Sequence, residues 1–327
     1  MSAAELQLGV RSKCGVEDVR KALWRDKSLV KTWLMRGTLH LVPSADLPLF
    51  TAAMRSHRVW PNNTWLKWVQ LTERELIDLI RAIGDALEQP MTREELIAQV
   101  GRGRSDHVRT VLKSGWSTLL KPVARAGRLC FGPSRGQSVS FVQPEKWLGS
   151  WHEEDPDTAL VEVARRYLRA YGPATKDDFA RWWGAWPGVG KAAWAALADE
   201  VVPVSIEGRR ADALRDDLGL MAGAAAGHSI LLLPAFDPYL MGYSSRDHLF
   251  EPVYRSRVSR TAGWISPVVL MDGRVTATWS HSVAKQMLRI TFEPFRKLPP
   301  KVRPEIRFRA EELAATLGLA GAEIKFA

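Results

Sequence analysis

Residues 72–88, TERELIDLIRAIGDALE, and residues 129–142, LCFGPSRGQSVSFV, bracket the stretch whose reading decides the fold. In the first, Leu76, Ile80, Ile83 and Leu87 recur at helical spacing behind Thr72, and Glu75 completes a capping box. Pro90 ends that helix, and Thr92-Arg93-Glu94-Glu95 repeats the capping signal to open a short helix reaching about Val100. After a glycine-arginine turn, helical spacing returns near residues 108–113 and through residues 116–126. Beyond Gly127 the period becomes two. Leu129-Cys130-Phe131 and Val139-Ser140-Phe141-Val142 flank the Pro/Gly/Ser-rich turn 132–138, a hairpin signal. Helices closed by a hairpin predict a winged helix, in which a late helix enters the major groove and the wing meets the DNA backbone.

The same order recurs downstream. Residues 157–171 place Leu160, Val163, Ala164, Tyr167, Leu168 and Tyr171 on one helical face before Gly172-Pro173 breaks the helix. Thr175-Lys176-Asp177-Asp178 caps a short helix carrying Phe179, Trp182 and Trp183, and residues 189–199 supply another after the Pro187-Gly188 turn. Residues 201–206 and the turn Glu207-Gly208 read as strand and hairpin, with Arg209 and Arg210 at the tip. Upstream, residues 16–24 are helical, residues 29–33 continue apolar, residues 36–42 alternate like a strand, and Ser44-Ala45-Asp46 caps the next helix. A full unit there needs one more helix before Met1. From about residue 229 the chain changes class: strands at 230–233, 264–271, 274–279 and 287–292, an Asp272-Gly273 turn, and a final helix over about 302–317. The expected fold class is α+β, with tandem winged-helix units followed by a C-terminal β-rich, barrel-like domain. The expected boundaries are 1–70 (a first unit, N-terminally incomplete), 71–147, 148–222 and 223–327.

Composition narrows the function. The chain of 327 residues is 46% hydrophobic, enough for sizeable cores, and no stretch approaches the roughly 18 apolar residues of a membrane span. The N-terminus lacks the order of a signal peptide, and two distant cysteines, Cys14 and Cys130, form no disulfide framework. A monomer in the reducing cytoplasm, associated with the nucleoid, is the expectation. The formal charge of +10 favours a polyanionic partner. That charge is concentrated: Arg102, Arg104, Arg109, Lys113, Lys121, Arg125, Arg128 and Arg135 face one acid, Asp106, over residues 101–135. These eight, with Arg209 and Arg210, are the candidate DNA-binding residues.

Other motifs give way to plainer readings. The seven histidines show no zinc spacing, so no metal is expected. Gly188-Val189-Gly190-Lys191 lacks the first glycine, the following Ser or Thr and the leading strand of a phosphate loop. Gly101-Arg102-Gly103-Arg104 reads as a basic loop touching phosphates. Most of the fourteen tryptophans, including Trp182, Trp183, Trp186 and Trp194, fall at core spacings, while Trp65 and Trp68 in the basic-aromatic stretch 55–68 stay ambiguous. The acids at 153–157 suit a helix start better than acid–base chemistry. Two segments resist a purely structural reading. In Met35-Arg36-Gly37-Thr38-Leu39-His40-Leu41-Val42, Arg36, Thr38 and His40 are expected on one strand face, lining a pocket or simply solvated. In 233–247, Asp237 and Arg246 read as a pair that staples the domain.

Four stretches, WLMRGTLHLVPSADL (33–47), LLPAFDPYLMGY (232–243), GWISPVVLMDGRVTATW (263–279) and ITFEPFRKLP (290–299), run in order along nearly the whole chain. In them the sequence resembles the winged-helix DNA glycosylases of the AlkZ and YcaQ type. The resemblance implies a basic channel for damaged double-stranded DNA, excision of bulky alkylated bases and unhooking of interstrand crosslinks, with no cofactor. It also implies a Gln-x-Gln or Gln-x-Asp motif that positions the attacking water, immediately before the helix matched by SAAELQLGVR. That motif falls upstream of Met1; Gln7 lies inside the matching helix and is no substitute. Two readings follow: a start that lies further upstream, or a relative that binds DNA without catalysis. Arg36, Thr38 and His40 match the strand beside the motif and are the candidates for supporting the site.

Overall fold

The capping signals set where the helices begin. The computed structural model describes residues 3–12, 14–57, 62–224 and 227–327. In chain order the elements are α1 (Ala3–Ser12), α2 (Val16–Trp24), β1 (Leu29–Trp33), β2 (Leu39–Pro43), α3 (Leu47–Arg55) and α4 (Asn63–Val69). There follow α5 (Glu73–Ala86), β3 (Met91–Thr92), α6 (Arg93–Val100), α7 (Asp106–Lys113), α8 (Lys121–Arg125), β4 (Cys130–Arg135), β5 (Ser138–Val142) and α9 (Pro144–Leu148). Next come α10 (Pro156–Tyr171), α11 (Lys176–Trp183), α12 (Pro187–Ala196), β6 (Val201–Ile206), β7 (Arg209–Leu214) and α13 (Leu218–Ala222). The chain ends with β8 (Ile230–Leu233), α14 (Pro238–Met241), α15 (Arg255–Val258), β9 (Val268–Met271), β10 (Arg274–Ala284), β11 (Met287–Pro294), α16 (Val302–Thr316) and β12 (Gly321–Phe326). Thr72, Thr92 and Thr175 close full capping boxes with Glu75, Glu95 and Asp178. Asp155 caps α10 through the Thr158 amide, which accounts for part of the acidic cluster.

Two compact units form, one from Met1–Arg20 with Asp216–Ala327, the other from Lys21–Arg215. In the Lys21–Arg215 unit, β1 and β2 pair as an antiparallel ribbon, and its strands divide two cores. Val30, Leu34 and Val42 pack with α3, α10 and α11, around Ala52, Ala53, Tyr167 and Phe179. Trp33 turns the other way, against Phe131, Phe141, Leu79 and Leu112. Residues 29–33, read only as an apolar continuation, are a strand because β-branched Val30 and Thr32 alternate there. Their anchor is the Thr32 hydroxyl, which donates to the Leu129 carbonyl at 3.0 Å. Strands β3, β5 and β4 make a three-stranded antiparallel sheet against α6, and β6 and β7 make a separate hairpin. The helix expected over 116–126 is only α8: Ser117 takes a left-handed φ of 56°, and Pro122 is tolerated only at a helix start.

In the other unit the five strands lie in the order β12-β11-β10-β9-β8. This corrects the barrel-like expectation: the sheet is open, with β8 and β12 at its edges. Strand β12 runs parallel to β11, a pairing that the return through α16 permits. One face packs α16 through Ile306, Ala310 and Ala314 against Leu288, Ile290 and Phe292. The other buries Leu240, Phe250 and Val258 against Leu233, Val268 and Val275. Helix α1 belongs to this unit, not with the residues up to 70, because Leu6 joins the α16 core and Gly9 leaves no room for a side chain beside Thr316. Buried Asp237 caps α14 and receives a bidentate ion pair, at 2.7 and 2.8 Å, from Arg11 rather than from the expected Arg246. Arg246 instead donates to the Leu240 carbonyl at 2.5 Å.

Candidate functional site

Between β1 and β2 the chain reverses through a tight turn, residues 35–37. Gly37 NH donates to the Leu34 carbonyl at 2.9 Å and Thr38 NH to that of Met35 at 3.2 Å. Arg36 and Gly37 both hold left-handed φ, 58° and 65°, which a tight turn of this length requires. Here the structure corrects the sequence expectation. Arg36 lies in the turn and not on the strand face of Thr38 and His40, because its positive φ swings the side chain away from the pleat. Its guanidinium donates to the Trp182 carbonyl at the end of α11, where the helix dipole favours a cation. Gly184, just past that helix end at φ 78°, completes the fit. A Cβ there would lie 2.9 Å from Arg36 N and 3.0 Å from its Cα.

Thr38 and His40 stay together. The Thr38 hydroxyl lies 3.0 Å from His40 Nε2, which also lies 3.2 Å from the Met35 carbonyl. Burial, and then the charge of Arg36, push the His40 pKa down to about 4, so the ring is neutral near pH 7. It fixes the turn; it does not add a cation.

Beside the turn opens a cavity of about 360 Å³. Its walls are Trp33, Trp65, Trp183 and Met54, with Arg36, Lys121 and Arg125 among its polar lining. Arg125 comes from α8 and donates to the carbonyls of Met54 and His57. Burial lowers its pKa to about 10 and that of Arg36 in the same direction. His57, also desolvated and facing Arg125, falls to about 4. No carboxylate lines the cavity among the described residues. The Trp183 indole N–H is buried without an acceptor among them.

The remaining basic candidates are dispersed. Arg102 and Arg104 sit in the loop between α6 and α7; Lys113 ends α7 and is exposed. Arg109 is tied to Asp106 and to the Arg104 carbonyl, Arg128 to Asp85, and Arg135 to Glu95 and the Pro90 carbonyl. Arg209 and Arg210 are exposed at the β6–β7 hairpin. Thus Arg36, Lys121 and Arg125 share one cavity, and Arg102, Arg104, Arg109, Lys113, Arg128, Arg135, Arg209 and Arg210 lie outside its lining. Sequence reasoning left Trp183 to the core and Trp65 undecided; both line the cavity. It also passed over Trp116, 82% exposed in the α7–α8 connection, and Arg93, which holds that connection through the Leu112 and Ser114 carbonyls and Ser117 Oγ. Gly115 just before the expected helix and Pro122 inside it are the signals for a loop there. Residues 58–61 of the basic-aromatic stretch lie outside the described residues.

In the other unit, Gln7 donates its side-chain amide to the carbonyls of Ala235 and Phe236 at 3.2 and 3.1 Å. That use holds α1 to the loop carrying Asp237. Among the described residues, no helix is long and apolar enough to cross a membrane, and no group of three His, Cys, Asp or Glu is placed to hold a metal ion.

Comparison with known proteins places these features. The family model for AlkZ-like DNA glycosylases matches residues 1–316. The interstrand DNA cross-link repair glycosylase of Streptomyces sahachiroi is 36% identical over 310 residues, which span 92% of this chain and 83% of the relative. Among solved structures, the Streptomyces sahachiroi DNA glycosylase AlkZ superposes with a TM-score of 0.89 at 33% identity, covering 99% of this chain and 89% of that one. The open sheet, the Arg36 turn and the basic aromatic cavity are therefore features of a chain that belongs to the AlkZ-like DNA glycosylase family.

Proposed function

We propose that this protein binds damaged double-stranded DNA and releases bulky alkylated bases by hydrolysis of the N-glycosidic bond, including bases joined across the two strands. Similarity along almost the whole chain to an interstrand cross-link repair glycosylase is the observation that carries this reading. The units at 71–147 and 148–222 act as winged helices: in each, helices precede a hairpin, and Arg209 and Arg210 stand at the tip of the second. Arg102, Arg104, Arg109 and Lys113 meet phosphates, and Arg36, Thr38 and His40 support the site from the β1–β2 turn. The protein acts as a monomer, in the cytoplasm and close to the nucleoid.

Alkylation at a ring nitrogen puts positive charge on the base, which becomes a good leaving group. The protein then has to hold a water and stabilise an oxocarbenium-like sugar, a task suited to hydrogen-bonding glutamines without a metal or organic cofactor. Residues 1–327 contain no Gln-x-Gln or Gln-x-Asp. Hydrolysis is proposed for the form in which that pair precedes α1. The net charge of +10 and the helix-then-hairpin units also fit a second reading, in which the chain binds DNA without catalysis. A base-release assay on duplex carrying a bulky N7-alkylguanine separates the two. Abasic product with the Gln-x-Gln segment in place supports the enzyme; tight binding with no release by that same form supports the binding module.

A further inference from the structure

The cavity beside the Arg36 turn differs in chemistry from a site for the lesion itself. Three tryptophans are among its lining: Trp33 and Trp183 are buried, and half-buried Trp65 keeps ring surface on which a planar base can stack. Its charges are Arg36, Lys121 and Arg125, and no acid balances them among the described residues. The carbonyls of Trp182, Met54 and His57 take some of the guanidinium N–H groups but carry no charge. Each guanidinium has five donors in all, so donors remain. His40 and His57, which feel the charges of Arg36 and Arg125, are held neutral by burial and by these same cations. The buried Trp183 N–H has no acceptor among the described residues, which is costly unless a ligand or water supplies one. The volume, about 360 Å³, falls in the range of sites that enclose a small molecule.

We propose that this cavity holds one extrahelical nucleotide of the bound DNA whose base is neutral, its ring stacked against the tryptophans and its phosphate on Arg36, Lys121 and Arg125. The proposal rests on the duplex-binding reading and deepens it. An N-alkylated base carries a positive charge, and three neighbouring cations repel it. The cavity therefore takes an undamaged nucleotide beside or opposite the lesion and leaves the cationic base in the channel. Lifting that neighbour from the stack costs a few kcal/mol in intact duplex and least where pairing is already lost. Its capture would thus favour damaged sites.

The test is a set of fluorescence titrations with the full chain, using duplexes that carry 2-aminopurine either normally paired or opposite an abasic analogue. The unpaired form should bind roughly tenfold tighter, with its emission quenched by stacking on indole. Lys121→Gln and, separately, Trp65→Leu should each collapse that ratio towards one, with thermal unfolding recorded to show that both variants fold. Free dGMP should bind more tightly than its 7-methyl, cationic counterpart, by roughly fivefold, since the added charge faces three like charges. Equal affinity for the two duplexes, an unchanged ratio in both folded variants, or preference for the cationic nucleotide would each overturn the proposal. Binding of dGMP without any duplex preference would assign the cavity to free nucleotides and overturn the placement of DNA in it. Base release without the duplex preference removes only this inference; the preference without base release removes only the enzymatic reading.

Discussion

Gly184→Ala probes the contact that shapes the site. Gly184 has φ 78°, a conformation that costs an L-residue about 1–2 kcal/mol. The added Cβ would also lie 2.8 Å from Arg36 Cγ, 2.9 Å from its N and 3.0 Å from its Cα. Two of these three neighbours are backbone, so the turn itself has to move, and overpacking of that kind costs about 1–3 kcal/mol more. The expected loss is roughly 2–5 kcal/mol. Gly37→Ala is the matched control. Its φ of 65° carries a similar conformational cost, but the nearest atom, Lys121 Cδ, is at 3.7 Å, an ordinary contact. Urea unfolding followed by tryptophan fluorescence should therefore place Gly184→Ala about 1–3 kcal/mol below Gly37→Ala. Adding Arg36→Gly removes the Cγ collision but also relieves the left-handed φ of 58° there and gives up the bond to the Trp182 carbonyl; measured against Arg36→Gly alone, Gly184→Ala should therefore recover little. Equal losses for Gly184→Ala and Gly37→Ala, or full recovery with Arg36→Gly, would refute the claim that backbone approach fixes the turn.

Three further outcomes follow from the same geometry. Arg11→Gln leaves buried Asp237 without its bidentate partner, but that partner is itself 43% exposed, so the cost in urea unfolding should be about 1–3 kcal/mol; with Asp237→Asn added, the second substitution should cost far less than it does alone. Arg102→Glu with Arg104→Glu should weaken duplex binding and lower the slope of log affinity against log salt by about two, and unchanged affinity would remove that loop from the interface. His40 keeps a pKa near 4 in the fold against an ordinary 6.5, so only the unfolded chain gains its proton between those values. Stability should thus be flat above about pH 6.5 and fall by roughly 2–3 kcal/mol towards pH 4 on this account, a slope that His40→Gln reduces and His57 partly maintains.

Much of the architecture was legible because it is written in local chemistry. The Thr72, Thr92 and Thr175 capping boxes and the alternation through Phe141 depend on residues a few positions apart. The barrel-like expectation failed because strand alternation reports a buried face and says nothing about whether edges meet. The expected 116–126 helix failed where Ser117 and Pro122 overrode apolar spacing. In the site, Arg36, Lys121 and Arg125 were all singled out, yet their convergence was not. It depends on contacts between α8, α3 and the end of α11 that no spacing encodes. Asp237 shows the same limit: a nearby arginine looked like its partner, and the partner is Arg11, at the other end of the chain.

Action of this chain on alkylated bases in duplex DNA underlies every step proposed above. It is tested most directly by single-turnover incubation with a duplex carrying one bulky N7-alkylguanine, with the Gln-x-Gln segment in place, followed by alkaline cleavage at abasic sites. Strand scission is expected at the lesion, and none in undamaged duplex. Saturating binding that leaves the alkylated base attached would contradict it.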